Sequence, residues 1–161
     1  MAKEKPTQEK ETQVKKNIKK DYVFAVGRRK GAIARVRLYA SRKDDIVWGE
    51  QTIKKGGMLV NQTPIEKYFS SIVEKSLYTE PFRVTDTEGN FAVTINVSGG
   101  GKTGQLGAVS LALSRALILH DPKHRGVLKK NGLLTRDARV RERRKVGTGG
   151  KARRKKQSPK R

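Results

Sequence analysis

Between Lys123 and Arg161 the chain places 17 of its 38 lysines and arginines beside only two acids, with no Phe, Trp or Tyr. These 39 residues carry +15 of a total formal charge of +23. Like charges repel, and so little apolar surface cannot offset the entropy of ordering the backbone, so the segment has no means of folding on itself. It needs a dense, fixed array of anions. A nucleic-acid backbone supplies one, because each neutralised phosphate releases counterions. Acidic lipid fits less well, since the segment has no apolar face to insert.

The rest of the chain is different in kind. Residues 1–20 hold seven lysines and three glutamates and read as a disordered basic and polar arm. Residues 21–122 hold 14 basic and 10 acidic side chains, an ordinary globular balance. The expected organisation is an arm at 1–20, one globular domain at 21–132 and an extended basic tail at 133–161. A core of this size buries roughly two-thirds of its chain's surface. With no cysteine, disulfides and thiolate metal sites are excluded and an intracellular compartment is expected. No apolar run approaches the ~20 residues of a membrane span, and no signal-peptide core precedes the domain.

Period-two and period-3.6 patterns sketch an α+β domain. Tyr22 to Val26 is a short strand, and Ala34, Val36 and Leu38 alternate with Arg35, Arg37 and Tyr39 in a half-buried strand with a cationic wet face. Residues 41–57 read as a loop or irregular hairpin, followed by a strand at Met58-Leu59-Val60. Thr63-Pro64-Ile65-Glu66 predicts a helix start with a capping box. That helix is expected to run to about Leu77 with Ile65, Phe69, Ile72 and Val73 inward. Phe82 to Asp86, Glu88-Gly89-Asn90 and Phe91 to Val97 read as strand, turn and strand. Leu106, Val109, Leu113, Ala116 and Leu117 mark a second long helix to His120, and a shorter one follows Pro122 and closes at Asn131-Gly132. The expected fold is a mainly antiparallel four-stranded sheet with two principal helices on one face, leaving the other for a partner.

Chemistry-bearing motifs are few. Val97-Ser98-Gly99-Gly100-Gly101-Lys102-Thr103 ends like a nucleotide-binding P-loop, but Asn96 stands where that loop needs its first glycine. A tight strand-to-helix turn is one reading. The other is a phosphate held by Lys102 and the bare amides of the helix start. Arg28, Arg29 and Lys30 are read as lying between two strands, sharing a cationic surface with Arg35 and Arg37. His120 and His124 are too few for a metal or catalytic constellation, so no cofactor, metal or enzymatic activity is expected. Asp137 and Glu142 are read as orienting arginines, Glu142 being spaced to pair with Arg139 or Lys145. A DNA-compacting protein and a small nucleotide hydrolase are the competing classes.

Several strings, in this order, resemble one family. They are Gly27-Arg28-Arg29-Lys30 with Ala34-Arg35-Val36, Val60-Asn61, Tyr68-Phe69, Gly99-Gly100-Gly101, Gly104-Gln105 and Arg115-Ala116-Leu117. They continue with Leu134-Thr135-Arg136-Asp137, Glu142-Arg143-Arg144-Lys145, Lys151-Ala152-Arg153-Arg154 and the closing Lys160-Arg161. The chain resembles, over about residues 22–161, the ninth protein of the small ribosomal subunit in its bacterial or organellar form. The resemblance implies a left-handed βαβ-type α+β domain like the second domain of the fifth small-subunit protein. It also implies binding to the 3′ major domain of the small-subunit ribosomal RNA in the subunit head, beside other head proteins. Read onto this chain, the RNA contacts are Arg28, Arg29, Lys30, Arg35, Arg37, Lys102, Arg136, Arg139, Arg143, Arg144, Lys145, Lys151, Arg153 and Arg154. A tail threading towards the peptidyl site would bring Lys160 and Arg161 to the anticodon stem-loop of transfer RNA. Gln157-Ser158-Pro159 departs from the aromatic residue and serine usual near the family's end.

Overall fold

Alternation in the first basic stretch builds an antiparallel hairpin. In the computed structural model, which describes residues 22–40, 46–49 and 51–141, β1 (Val23–Arg29) turns through Lys30-Gly31 into β2 (Ala32–Tyr39). Lys30 takes the left-handed position of this two-residue turn, φ 52°. Ala34, Val36 and Leu38 are fully buried while Arg35 and Arg37 face out.

The hairpin of β3 (Ile46–Trp48) and β4 (Gln51–Ile53) forms a separate two-stranded sheet, as the irregular 41–57 stretch allows. β5 (Met58–Val60) then reverses through Asn61 and Gln62, both with positive φ, into the two-residue β6 (Thr63–Pro64). α1 (Ile65–Tyr68) is one turn, α2 spans Ile72–Val84, β7 is Ala92–Ser98, α3 is Lys102–His120 and α4 is His124–Lys130. The main sheet has five strands in the order β1-β2-β7-β5-β6. It is mixed, because β5 and β7 run parallel and are joined by the crossover through α1 and α2. Four strands were expected and five form; three of the four pairings are antiparallel, and the β5–β7 pair is the exception.

Two stretches depart from the conformation that their pattern predicts. A helix does begin at Ile65, but Thr63-Pro64 pairs with β5, Pro64 holds the N-cap position without a side-chain cap, and the chain breaks after Phe69 before restarting at Ser71. The capping carboxylate belongs to Glu74, which accepts the Ser71 backbone N–H at 3.3 Å. The break changes the helical phase, so Ile72 and Val73 are 87% and 68% exposed where they were expected inward. Phe82 to Asp86 is no strand. Tyr78 and Phe82, one turn apart on α2, are both buried and carry the helix past Pro81.

α3 lies across β1 and β2 and closes the main core with Leu106, Val109, Leu113, Ala116 and Leu117, as the periodicity predicts. The approach is close enough that a Cβ on Gly27 would meet the Ala108 carbonyl oxygen. Phe91, Val93, Ile95 and Val97 of the β7 region are buried as expected. The opposite sheet face is not wholly open. At one end Ile46 and Ile53 pack on Leu59 and Ala92, with Tyr39 and Trp48 alongside. Basic composition also misled at the start of the cationic segment, where Leu128 of α4 is fully buried and Leu133 and Leu134 pack against the core.

Candidate nucleic-acid interface

Strand alternation divides the arginines. Paired residues share a sheet face, so the outer face carries Arg28 opposite Ile33, Arg35 opposite Val26 and Asn96, and Arg37 opposite Phe24 and Thr94. Arg28, Arg35 and Arg37 are exposed, and Arg37 stands over the Tyr22 ring at 5.3 Å. Arg28 and Arg29 therefore belong to β1 and not to a loop between strands. Arg29, one position on, points to the helix side.

The glycine turn abuts the tip of this hairpin. Gly99 and Gly100 have φ of 70° and 62°. A Cβ on Gly99 would lie 2.5 Å from the Gly31 carbonyl oxygen, and one on Gly100 would lie 2.9 Å from Ala32. Glycine is required there by both conformation and space. Gln105 locks the arrangement, donating from Nε2 to the Gly99 carbonyl at 3.1 Å while its Oε1 accepts the Tyr68 hydroxyl at 2.8 Å.

Exposed Lys30 and Lys102 thus flank the start of α3, whose N-terminus has no side-chain cap. Uncapped N–H groups and the positive end of the helix dipole suit an anion. Asn96 is an exposed strand residue paired with Arg35, so the first glycine of a nucleotide-binding loop has no counterpart. Among the described residues there is also no group of His, Cys, Asp and Glu fit to hold a metal ion.

Asn61 was not singled out as a functional residue, yet it continues the parallel ladder beyond β5. Its Nδ2 donates to the Val97 carbonyl at 3.0 Å, and its Oδ1 accepts the Val97 N–H at 2.9 Å. No spacing rule reveals an amide side chain acting as a strand. Further cations that the motif reading passed over stand on the helices. Arg115 donates to the Val26 carbonyl on the outer edge of β1 at 2.7 Å, and Arg125, Lys129 and Lys130 are exposed on α4. Arg125, Lys129 and Lys130 lie in the basic stretch that begins at Lys123, yet within the span expected to be globular, and charge density was their one visible signal.

At the base of the tail Arg136 is exposed and Asp137 gathers neighbouring arginines. Arg139 reaches it from Nε and Nη2 at 3.0 and 2.9 Å and from its backbone N–H at 3.0 Å, and Arg29 Nη2 lies 3.2 Å away. Hydrogen bonds from the Arg139 guanidinium, then from its backbone, hold the Asp137 carboxyl well below the usual carboxylate range, and Arg29 acts in the same direction. Asp137 orients Arg139, a role that spacing alone offers to Glu142 as well. Glu142 and the candidate contacts Arg143, Arg144, Lys145, Lys151, Arg153, Arg154, Lys160 and Arg161 lie outside the described residues, as does the 1–20 arm. No helix among the described residues is long and apolar enough to cross a membrane.

Comparison with known proteins bears on this cationic arrangement as a whole. The family model described as Ribosomal protein S9/S16 matches residues 27–161. The chain is 43% identical over 130 residues to the small ribosomal subunit protein uS9 of Solidesulfovibrio magneticus, covering 81% of this chain and 90% of that protein. It is likewise 43% identical over 133 residues to the uS9 protein of Maridesulfovibrio salexigens, covering 83% and 92%.

Proposed function

The chain belongs to the Ribosomal protein S9/S16 family, and on that premise we propose that it is a structural component of the small ribosomal subunit that serves translation by binding ribosomal RNA. The observation that carries this reading is the reach of the family match. It runs from Gly27 through the whole basic tail to Arg161, so tail and body are one family feature. Within the body, Arg28, Lys30, Arg35, Arg37 and Lys102 engage phosphates of folded RNA, with the amides at the start of α3 adding a site for one more. Arg136, Arg143, Arg144, Lys145, Lys151, Arg153 and Arg154 neutralise phosphates along the tail. Lys160 and Arg161 meet the anticodon stem-loop of transfer RNA in the peptidyl site. A cation at the free end of an RNA-bound segment touches a second RNA without gripping it.

The test is cosedimentation. The protein is expected to remain with small subunits through a high-salt wash, and release into the free fraction would contradict the reading. Deleting residues 158–161 is expected to leave incorporation intact and weaken retention of peptidyl-site transfer RNA. Equal retention in a filter assay at matched salt would remove the tip from the mechanism.

A further inference from the structure

Arg29 departs from the other cations at the front of the molecule. It turns to the helix side and lies across α3 at Gly107, where an added Cβ would stand 2.3 Å from Arg29 Cδ and 2.6 Å from Nη1. Its Nη2 donates to Asp137 Oδ2 at 3.2 Å, and its Nε is buried without a partner among the described residues. Leaving that N–H unpaired is unfavourable, so the remaining contacts hold the side chain in place.

The same carboxylate receives three donors from Arg139, two of them as a bidentate fork. The arginine and carboxylate side chains of the Arg29–Asp137 pair are only 32% and 25% exposed, which limits screening by salt. Just ahead of the pair, Leu133 and Leu134 rest on the core. Charge and apolar contact therefore fix the same short stretch.

Resting on the RNA reading of the tail, we propose that Arg29, Gly107 and Asp137 form a latch. It fixes the base of the tail against α3 before RNA is met, and Asp137 is a positioning residue, not an RNA contact. Arg29 is its socket and is withdrawn from the phosphate-binding set. The benefit is pre-organisation: the tail leaves the body in one direction, which lowers the entropy lost when RNA captures it.

The chain has no cysteine, so spin labels on introduced Ser76→Cys and Val140→Cys report the distance from α2 to the tail base. They do so in the full chain without RNA. The parent is expected to give a narrow distance distribution. Asp137→Asn is expected to broaden it, as is Gly107→Ala, which displaces the Arg29 side chain without altering charge. An unchanged width in either variant overturns the latch, whether or not the tail binds RNA.

A second measurement uses affinity for a small-subunit ribosomal RNA fragment. Asp137→Asn raises the net positive charge, so an acid without a positioning role would give tighter binding when removed. The latch predicts binding weaker by about fivefold, partly restored by Asp137→Glu; tighter binding by Asp137→Asn overturns it. If the parent itself ignores the RNA fragment, the RNA reading fails while the distance measurement still decides the latch.

Discussion

Arg35 and Arg139 are both exposed cations in this molecule, and they are aimed by opposite means. Arg35 stands on a strand whose alternate residues, Ala34 and Val36, are fully buried, and it enters no ion pair among the described residues. Its direction is set by the core beneath it. Arg139 stands beyond the last helix, where no regular element supports it, and a carboxylate sets its direction instead. The sheet face spends hydrophobic burial to hold its arginines. The tail base uses one acid among many bases. A basic segment can thus be ordered locally just beyond its last core contacts, Leu133 and Leu134, provided an acid stands where the body can reach it.

The largest expected effect tests the body's half of this contrast. Gly27→Ala drives a Cβ into the Ala108 carbonyl and the Ala112 N–H. It is expected to lower stability by about 3 kcal/mol in denaturant unfolding. A loss under about 0.5 kcal/mol would mean that α3 and β1 are not the rigid support claimed for Arg35 and Arg37.

A smaller effect is expected from Arg35→Ala combined with Arg37→Ala. Affinity for a ribosomal RNA fragment should fall about tenfold, and the slope of log K against log salt should drop by about two. Stability should be unchanged. Full affinity in the double variant would take the sheet face out of the interface and leave the tail to act by itself.

The smallest effect is the absence of one. The native pKa of Asp137 lies below its unfolded value. Its contribution is therefore fully present above the ordinary carboxylate range and is lost only as pH falls through the lowered native value. The distance between labels at 76 and 140 is expected to stay constant from pH 8 to about pH 5. Drift within that window would show that another group governs the tail base.

The contrast also separates what was legible in the sequence from what was not. Arg35 and Arg37 could be placed because Ala34, Val36 and Leu38 alternate with them, and α3 could be placed because Leu106 to Leu117 recur at helical spacing. Local periodicity carries that information. The crossover was misread because β-branched and aromatic residues suit strands as well as buried helices. At Phe82 the deciding contact is with a core assembled from distant segments. Arg28 and Arg29 were grouped because adjacency in sequence hides that neighbours on a strand point to opposite faces. The pairing of Arg29 with Asp137 spans 108 positions, so no window along the chain contains it. Asn61 escaped for the same reason, since its partner Val97 is 36 positions away.

The measurement that bears most directly on the whole account is a salt titration of binding to small-subunit ribosomal RNA. It compares the full chain with a chain ending at Arg141. Phosphate neutralisation by both regions predicts a steep fall in the full chain's affinity, of about 10³-fold or more between 50 and 200 mM salt. The shortened chain should keep a shallower but measurable dependence from its sheet face. Equal and flat responses from the two chains would contradict it.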